Sequence, residues 1–258
     1  MYMHKIFLIL MSLLLLAMNA HAQVYYRLAY QVSAPLAELK QNMSKNAQGV
    51  VAELGLRIPK TPLTLGWHWA IAQYGYQQTK ELHVFAPGAQ SNVFVNTNNY
   101  FTQSHFFVRY DLPSKGIIIP YLSVGLGRSN FRTMLRILAE TSTPECPKPL
   151  EISFPLKDKV MHYMMAGGVK VELAKILSMR GKSFCLDFQV QHTRGGEVEY
   201  MNVRKTPIVP QNTTPVYAKF ASQAKPDVIH QYYTGNRYTS PVRLVTFQLG
   251  FLYIGRWK

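Results

Sequence analysis

The sequence contains few cysteines, few acidic residues and no long apolar run in its main body. Its 258 residues include only Cys146 and Cys185, which excludes a disulfide framework as the basis of the fold. Beyond residue 22, no apolar run approaches the roughly 18 residues that a membrane-spanning helix needs. Thirteen Asp and Glu against 28 Lys and Arg give a formal net charge of +15, so we expect anionic neighbours. No nucleic-acid-binding motif accompanies this charge, and no nucleic-acid partner is expected.

The first 22 residues have the pattern of a secretory signal peptide. Residues 1–5 form a short basic start, and residues 6–18 form an apolar run interrupted only by Ser12. Ala20-His21-Ala22 then offers an A-x-A cleavage site before Gln23. The run is too short to cross a bilayer as a helix, although an uncleaved anchor is the alternative. We therefore predict a cleaved signal peptide over residues 1–22 and one mature domain over residues 23–258.

Eight segments of the mature chain alternate between apolar and polar residues. In the last segment Phe247, Leu249 and Phe251 share one face, while Gln248 and Gly250 lie on the other. A period of two is typical of a β-strand whose two faces meet different surroundings, and the segment lengths suit tilted strands that cross a membrane. The segments cover residues 24–32, 50–58, 63–76, 100–111, 117–128, 160–173, 183–192 and 245–258.

The connections between these segments alternate strictly between short and long. The short ones cover residues 59–62, 113–116 and 174–182; the long ones cover residues 33–49, 77–99, 129–159 and 193–243. Bacterial outer-membrane barrels have this pattern, with short periplasmic turns and long outer loops. We therefore predict an all-β fold: an eight-stranded antiparallel up-and-down transmembrane barrel, monomeric, whose last strand pairs with its first.

Two of the long loops contain further extended segments. Residues 82–85 and 92–95 suggest one hairpin, and residues 215–233 suggest another. They indicate either ten strands or eight strands with protruding extensions, and we favour eight.

The motif Ile119-Pro120-Tyr121-Leu122-Ser123-Val124-Gly125-Leu126-Gly127 resembles the P-Y-x-x-x-G-x-G strand of small bacterial outer-membrane barrels. That superfamily includes the transmembrane domain of outer-membrane protein A, the OmpW-type barrels and the PorT-like barrels. The resemblance implies residence in the bacterial outer membrane and handling by the barrel-assembly machinery during biogenesis. In these families the last strand usually ends in an aromatic residue, whereas here Lys258 follows Trp257.

The polar faces of the strands collect charged residues. An eight-stranded barrel has an interior just wide enough for side chains to fill, and unpaired charges there would be costly. We therefore expect a structural network that fills the lumen rather than an open pore. Its predicted members are Arg27, Glu53, Arg57, Arg109, Lys170, Glu172 and Asp187.

Three histidines, His68, His105 and His162, share the polar faces with these charges. We interpret them as hydrogen-bonded fillers, with a proton or ion path as the alternative. Their spacing does not match that of metal ligands, and no metal or cofactor is predicted.

The sequence contains no G-x-S-x-G or H-E-x-x-H motif, so we expect a protein that is not an enzyme. Some small outer-membrane barrels modify lipid A near the outer rim, which keeps that activity as an alternative. Its candidate residues would be His192 or the neighbours Ser104 and His105.

Basic and aromatic residues are interleaved in the last long loop, a composition that suits phosphate or sugar ligands. We predict a structural or interaction role in which the outer loops contact lipopolysaccharide, other membrane lipids or a protein partner. The candidate residues for an anionic ligand are Arg204, Lys205, Lys219, Lys225 and Arg237.

Two further functions compete with this one. The first is a PorT-like accessory component of protein export or assembly, with the periplasmic turns as its contact surface through Lys60, Lys115, Lys175, Arg180 and Lys182. The second is a soluble lipocalin-like barrel. The predicted topology also places Cys146 and Cys185 at opposite membrane surfaces, so no disulfide between them is expected.

Overall fold

The computed structural model describes residues 23–43, 45–86, 89–139, 149–177, 183–202, 214–222 and 225–256. These residues form nine strands and two short helices, α1 (Ala37–Asn42) and α2 (Leu173–Ile176). The strands are β1 (Gln23–Pro35), β2 (Ala47–Arg57), β3 (Leu63–Ala86), β4 (Ala89–Asp111), β5 (Ile118–Ala139), β6 (Pro149–Glu172), β7 (Ser183–Asn202), β8 (Thr214–Ser222) and β9 (Lys225–Arg256).

Eight of these strands close into a ring. Strands β1 to β7 pair antiparallel in chain order, β7 then pairs with β9, and β9 pairs with β1 from Gln23↔Arg256 to Pro35↔Leu244. Strand β8 pairs only with β9 among the described strands, so it lies outside the ring. The prediction of an eight-stranded antiparallel barrel closed by its first and last strands is confirmed.

The strands extend further into the long loops than the sequence indicates. Strands β3 and β4 remain paired as far as Ala86↔Ala89, and β8 pairs with β9 from Thr214↔Arg237 onward. Both hairpins suggested by the sequence are therefore present, as extensions of the wall rather than as additional wall strands. Alternation continues along β3 and β4 because the extended hairpin also has two different faces.

The barrel wall has its apolar side outward and its polar side inward. Leu28, Leu126 and Met165 are 69%, 62% and 59% exposed, whereas Arg27 and Asp187 inside the ring are 2% and 0% exposed. This is the reverse of a water-soluble protein. A closed ring also pairs its backbone groups without leaving an edge, which a bilayer requires. The protein is therefore a transmembrane barrel, the architecture of bacterial outer-membrane proteins.

Helix α1 folds over one end of the lumen instead of pointing into solvent. The amide of Leu36 donates to the Arg243 carbonyl at 2.9 Å, which fixes the start of the helix against β9. Leu39 and Met43 are then buried at 0% and 3% exposure inside the barrel. Among the described residues, no helix has both the length and the apolar composition needed to cross a membrane.

A charge placed in the middle of the apolar belt tests this orientation. Leu249 faces outward on β9, and we expect Leu249→Arg to lower the free energy of unfolding in lipid vesicles by about 2–4 kcal/mol, because a cation near the midplane must be desolvated. The matched control is Thr239→Arg on the same strand, since Thr239 is exposed beyond the belt. Urea unfolding followed by gel mobility measures both variants, and equal losses would contradict the orientation.

Candidate functional site

The carboxylate of Glu53 is the centre of a buried polar network in the lumen. Its Oε2 accepts hydrogen bonds from Tyr25 Oη at 2.8 Å and from Arg109 Nη2 at 2.9 Å. Its Oε1 lies 3.0 Å from Arg27 Nη1 and 2.9 Å from His68 Nδ1. These partners come from β1, β3 and β4, and Glu53 itself lies on β2, so one side chain links four neighbouring strands, half of the ring.

Asp187 on β7 carries the network across the lumen. Its Oδ2 forms an ion pair with Arg27 Nε at 2.6 Å and accepts a hydrogen bond from Tyr121 Oη at 3.1 Å. Two cations, Arg27 and Arg109, thus balance two carboxylates, Glu53 and Asp187. Buried charge is tolerated when it is paired and hydrogen-bonded in this way.

The P-Y-x-x-x-G-x-G segment on β5 makes room for this network. The Arg109 guanidinium carbon, Cζ, lies over the Tyr121 ring, 4.3 Å from the ring centroid. A Cβ on the facing Gly168 would lie 2.5 Å from the Tyr121 ring. At Gly127 a Cβ would instead collide with the backbone of Ser104 and His105, so this glycine permits close approach of β4. The inward glycines of this region therefore leave space for large polar side chains.

The three inward histidines form a column beside Glu53. The rings of His68 and His105 stack with their centroids 4.1 Å apart, and His105 Nδ1 lies 3.3 Å from His162 Nε2. His162 Nδ1 lies 2.9 Å from Ser129 Oγ. The contact between His68 and His105 is a ring stack, which interrupts a hydrogen-bonded path and favours the interpretation as packed fillers. The described residues contain no group of histidine, cysteine or acidic side chains arranged to hold a metal ion.

An apolar plug lies beyond the histidines, towards the long-loop end. The rings of Phe101 and Phe131 are 5.3 Å apart, and Phe131 also contacts Tyr74 and Tyr200 at 6.0 and 6.3 Å. Leu39 of α1 joins the same cluster. Together the network and the plug occupy the lumen at these two levels in the described part of the chain.

The remaining predicted lumen residues lie near the short-turn end. Lys170 Nζ is 2.5 Å from Asp111 Oδ1, and Arg57, with its side chain 34% exposed, lies 3.9 Å from Asp111 Oδ2. Glu172 pairs with Lys175 at the mouth instead of joining the central network. The structure thus brings Arg27, Glu53, Arg109 and Asp187 together and leaves Arg57 and Glu172 at the mouth. Lys170 lies between the two groups, since it binds Asp111 and is the cross-strand neighbour of Asp187.

The residues considered for an enzyme do not form a site. Ser104 faces outward while His105 faces the lumen, because neighbouring residues of a strand point to opposite sides. His192 is exposed on the outer surface of the wall.

The candidate anion-binding loop is described only in part. Two of its candidate residues, Arg204 and Lys205, lie outside the described residues. The same holds for Arg180 and Lys182 of the third short turn, for Cys146 and for the predicted signal peptide. Lys219 and Lys225 belong to β8 and β9, and their side chains are not described. Arg237 is half-exposed and pairs with Glu199 at 3.3 Å. Cys185 is a buried free thiol on β7.

A different basic surface lies on the outward side of the wall, next to the apolar belt. It begins on β5 one outward position beyond Leu126 and continues around β6, β7 and β9. Two of its cross-strand pairs carry like charges, Arg132↔Lys157 and Arg194↔Arg243. We define this basic wall by Arg128, Arg132, Lys157, Lys159, Arg194 and Arg243.

The basic wall has little compensating charge. No carboxylate of the described residues lies within 4.0 Å of its six cations. Glu197 and Glu199 occur further along β7, and Glu199 is already bound by Arg237. Like charges placed directly opposite each other destabilise a sheet, so a bound anion would relieve this wall.

Sequence reasoning missed the basic wall because it ended the fifth alternating segment at residue 128. The alternation continues, since Arg128, Asn130, Arg132 and Met134 all keep the outward position of Leu126. A longer window would have found it. Neutral partners of the lumen network were also missed, because uncharged polar residues give no signal in a count of charges. Besides Tyr25 these are Gln189, which accepts a hydrogen bond from Arg109 Nη2 at 3.2 Å, and Gln248, which accepts one from Arg27 Nη1 at 2.7 Å.

Comparison with known proteins gives structural matches only. No protein-family model and no curated protein sequence matches the chain. Neisserial surface protein A matches with 9% identity and a TM-score of 0.39, covering 92% of this chain and 97% of that one. Ail of Yersinia pestis, in complex with the heparin analogue sucrose octasulfate, matches with 8% identity and a TM-score of 0.39 over 90% and 97%. The outer-membrane protease OmpT of Escherichia coli matches with 10% identity and a TM-score of 0.30 over 90% and 95%. The outward apolar side and the inward polar side of its wall are those of a bacterial outer-membrane barrel.

Removing the central carboxylate tests the importance of the lumen network. We expect Glu53→Gln to lower the free energy of unfolding by about 3–5 kcal/mol, because Arg27 and Arg109 would be left buried with a single carboxylate between them. The control is Glu199→Gln, which breaks a half-exposed pair and should cost no more than about 1 kcal/mol. Urea titration in vesicles measures both, and a Glu53→Gln midpoint equal to that of the control would refute the assigned role.

Proposed function

We propose that this outer-membrane barrel has a structural and interaction role in which its outward basic wall binds the phosphate groups of outer-leaflet lipopolysaccharide. The observation that carries the proposal is the position of six cations directly beside the apolar belt. In that position a cation lies level with the lipid headgroups while neighbouring apolar residues contact the acyl chains.

The chemistry of the wall suits phosphate. Guanidinium groups form paired hydrogen bonds to phosphate oxygens, and four of the six cations are arginines. A shallow cavity of about 370 Å³ lies on the same outward surface and includes Val50, Ile71 and Met134 in its lining. Met134 is the next outward residue after Arg132 on β5. An acyl chain in this cavity and a phosphate on Arg132 would belong to one amphiphilic ligand.

The rest of the barrel supports a role without catalysis or conduction. The lumen is filled by paired charges and aromatic rings, and the Ser104 and His105 side chains lie on opposite sides of the wall. The P-Y-x-x-x-G-x-G segment also leads us to propose that this barrel belongs with the OmpA-, OmpW- or PorT-like types of small outer-membrane barrel.

A triple substitution tests lipid binding. Arg132→Gln, Arg194→Gln and Arg243→Gln together should weaken binding of lipopolysaccharide to the immobilised, detergent-solubilised barrel by about 100-fold, at about 1 kcal/mol for each cation near a lipid surface. Dephosphorylated lipopolysaccharide should bind the unaltered barrel about as weakly. Surface plasmon resonance measures these affinities.

The matched control neutralises the same number of cations at the other end of the barrel. Lys60→Gln, Lys115→Gln and Lys175→Gln all change exposed side chains on the short-turn side. This variant should bind lipopolysaccharide as the unaltered protein does. Equal weakening by both triple variants would mean that net charge, and not the basic wall, determines binding.

A role in protein export is the second candidate function. The exposure of Lys60, Lys115 and Lys175 on the short-turn side favours it. Cations on the short turns would meet an acidic surface of a periplasmic export component. If the barrel is a PorT-like accessory, the Lys60, Lys115 and Lys175 variant should abolish secretion of a cargo protein while the basic-wall variant leaves it unchanged. Cargo in the culture medium, quantified by immunoblotting, measures this; normal secretion by the lysine variant would remove the candidate.

A further inference from the structure

A cavity of about 650 Å³ opens at the short-turn end of the barrel, on the opposite side of the membrane from the lipopolysaccharide surface. It lies between the turn of residues 59–62 and the turn of residues 113–116, and we call it the vestibule. Its volume is within the range of about 300–1,000 Å³ typical of ligand sites. The lumen network and the basic wall do not use it.

The vestibule has an excess of positive charge. Arg57 and Lys60 line it together with a single carboxylate, that of Asp111. Asp111 is already engaged, because its Oδ1 binds the buried Lys170 at 2.5 Å. Arg57 lies 3.9 Å from the other oxygen, which is beyond hydrogen-bonding distance, and its side chain is 34% exposed. Arg57 and the buried Lys170 therefore share this one carboxylate of the described lining residues; Lys170 holds it at hydrogen-bonding distance, and the guanidinium of Arg57 keeps only the distant contact.

Apolar residues line much of the rest of the vestibule, beside the polar residues Gln23, Thr61 and Ser114. Ile58, Leu112 and Ile119 line it, and three prolines, Pro59, Pro62 and Pro113, stiffen the two turns. A charged guanidinium beside apolar side chains suits a ligand that carries an anionic group on an apolar body.

The two turns are held in place by hydrogen bonds that do not require a ligand. Thr61 Oγ1 donates to the Ile58 carbonyl at 3.0 Å, and Ser114 Oγ donates to the Ile118 carbonyl at 2.6 Å. The amide of Asp111 donates to the Pro62 carbonyl at 2.8 Å, which joins the first turn to the start of the second. A ligand would therefore enter a preformed cavity and would not have to order its walls.

From these observations we infer that the vestibule is a binding site for a carboxylate attached to an apolar body, with Arg57 as its principal ligand-binding residue. Arg57 would form the paired hydrogen bonds that guanidinium groups make to carboxylates, and Lys60 would add charge from the rim. The carboxylate belongs either to a free amphiphilic acid or to an acidic side chain of a periplasmic peptide. This site is independent of the lipid-binding function proposed above.

Hexanoate is the probe for a free amphiphilic acid. Isothermal titration calorimetry on the full detergent-solubilised barrel measures its binding. We expect hexanoate to bind, and 1-hexanol, which has the same apolar body without charge, to bind at least about tenfold more weakly. Arg57→Gln should weaken hexanoate binding about tenfold. Asp111→Asn should strengthen it, because the competing carboxylate is removed. The heat-dependent shift in gel mobility verifies that both variants are folded.

Two controls separate this site from other basic surfaces. Lys115→Gln changes an exposed lysine on the second turn that does not line the vestibule, and it should leave the affinity unchanged. The triple variant of Arg132, Arg194 and Arg243 should also bind hexanoate normally, so that failure of the lipid proposal and failure of this one are distinguishable.

The second possible ligand, an acidic side chain of a periplasmic peptide, is tested with an acetylated Leu-Glu-Leu amide and its Leu-Gln-Leu counterpart. Tighter, Arg57-dependent binding of the Glu peptide than of hexanoate supports a peptide source, and the reverse order supports a free acid. The inference is overturned if neither carboxylate probe binds the unaltered barrel, if hexanol binds as well as hexanoate, or if Arg57→Gln has no effect.

Discussion

The buried carboxylate of Glu53 is the interaction on which the rest of the lumen depends. Once a barrel turns its apolar side towards lipid, its polar side chains must satisfy one another in a space too narrow for bulk water. From β2, Glu53 does this for Tyr25 and Arg27 on β1, His68 on β3 and Arg109 on β4. Asp187 supplies the second negative charge from the far side of the ring. The interior is thereby electrically balanced at its centre, and the cations that remain unbalanced are found at the two ends.

This division gives the barrel three levels. At the centre two carboxylates balance two guanidinium groups, with the aromatic plug and α1 above them. The outward surface next to the apolar belt carries like-charged pairs such as Arg132 and Lys157, which a phosphate would bridge. The short-turn end contains a preformed cavity in which Arg57 has only a distant carboxylate. Each level follows from the same rule: a charge that has no partner in the protein is placed where an outside partner can reach it.

Much of the fold was predictable because the alternation of apolar and polar residues repeats in every wall strand. The closing pair of β1 and β9 and the short-to-long alternation of loops followed directly from that pattern. The strand ends on the long-loop side were not predictable, because β3, β4 and β9 continue as hairpins beyond the membrane with a weaker pattern. For the same reason Arg132 and Lys157 were assigned to a loop, although they continue the outward face of two strands.

The sequence by itself determined which residues face lipid and which face the lumen, because a strand with a period of two has only two sides. It also determined the order of the strands, because short turns force neighbours to pair. Only the tertiary structure decided which inward residues meet. Arg109 on β4 and Gln189 on β7 lie 3.2 Å apart although their strands do not pair, while Arg57 and Glu172 are left at the mouth. The physical reason is that contacts across a lumen depend on the tilt and stagger of all eight strands together, which no local pattern records.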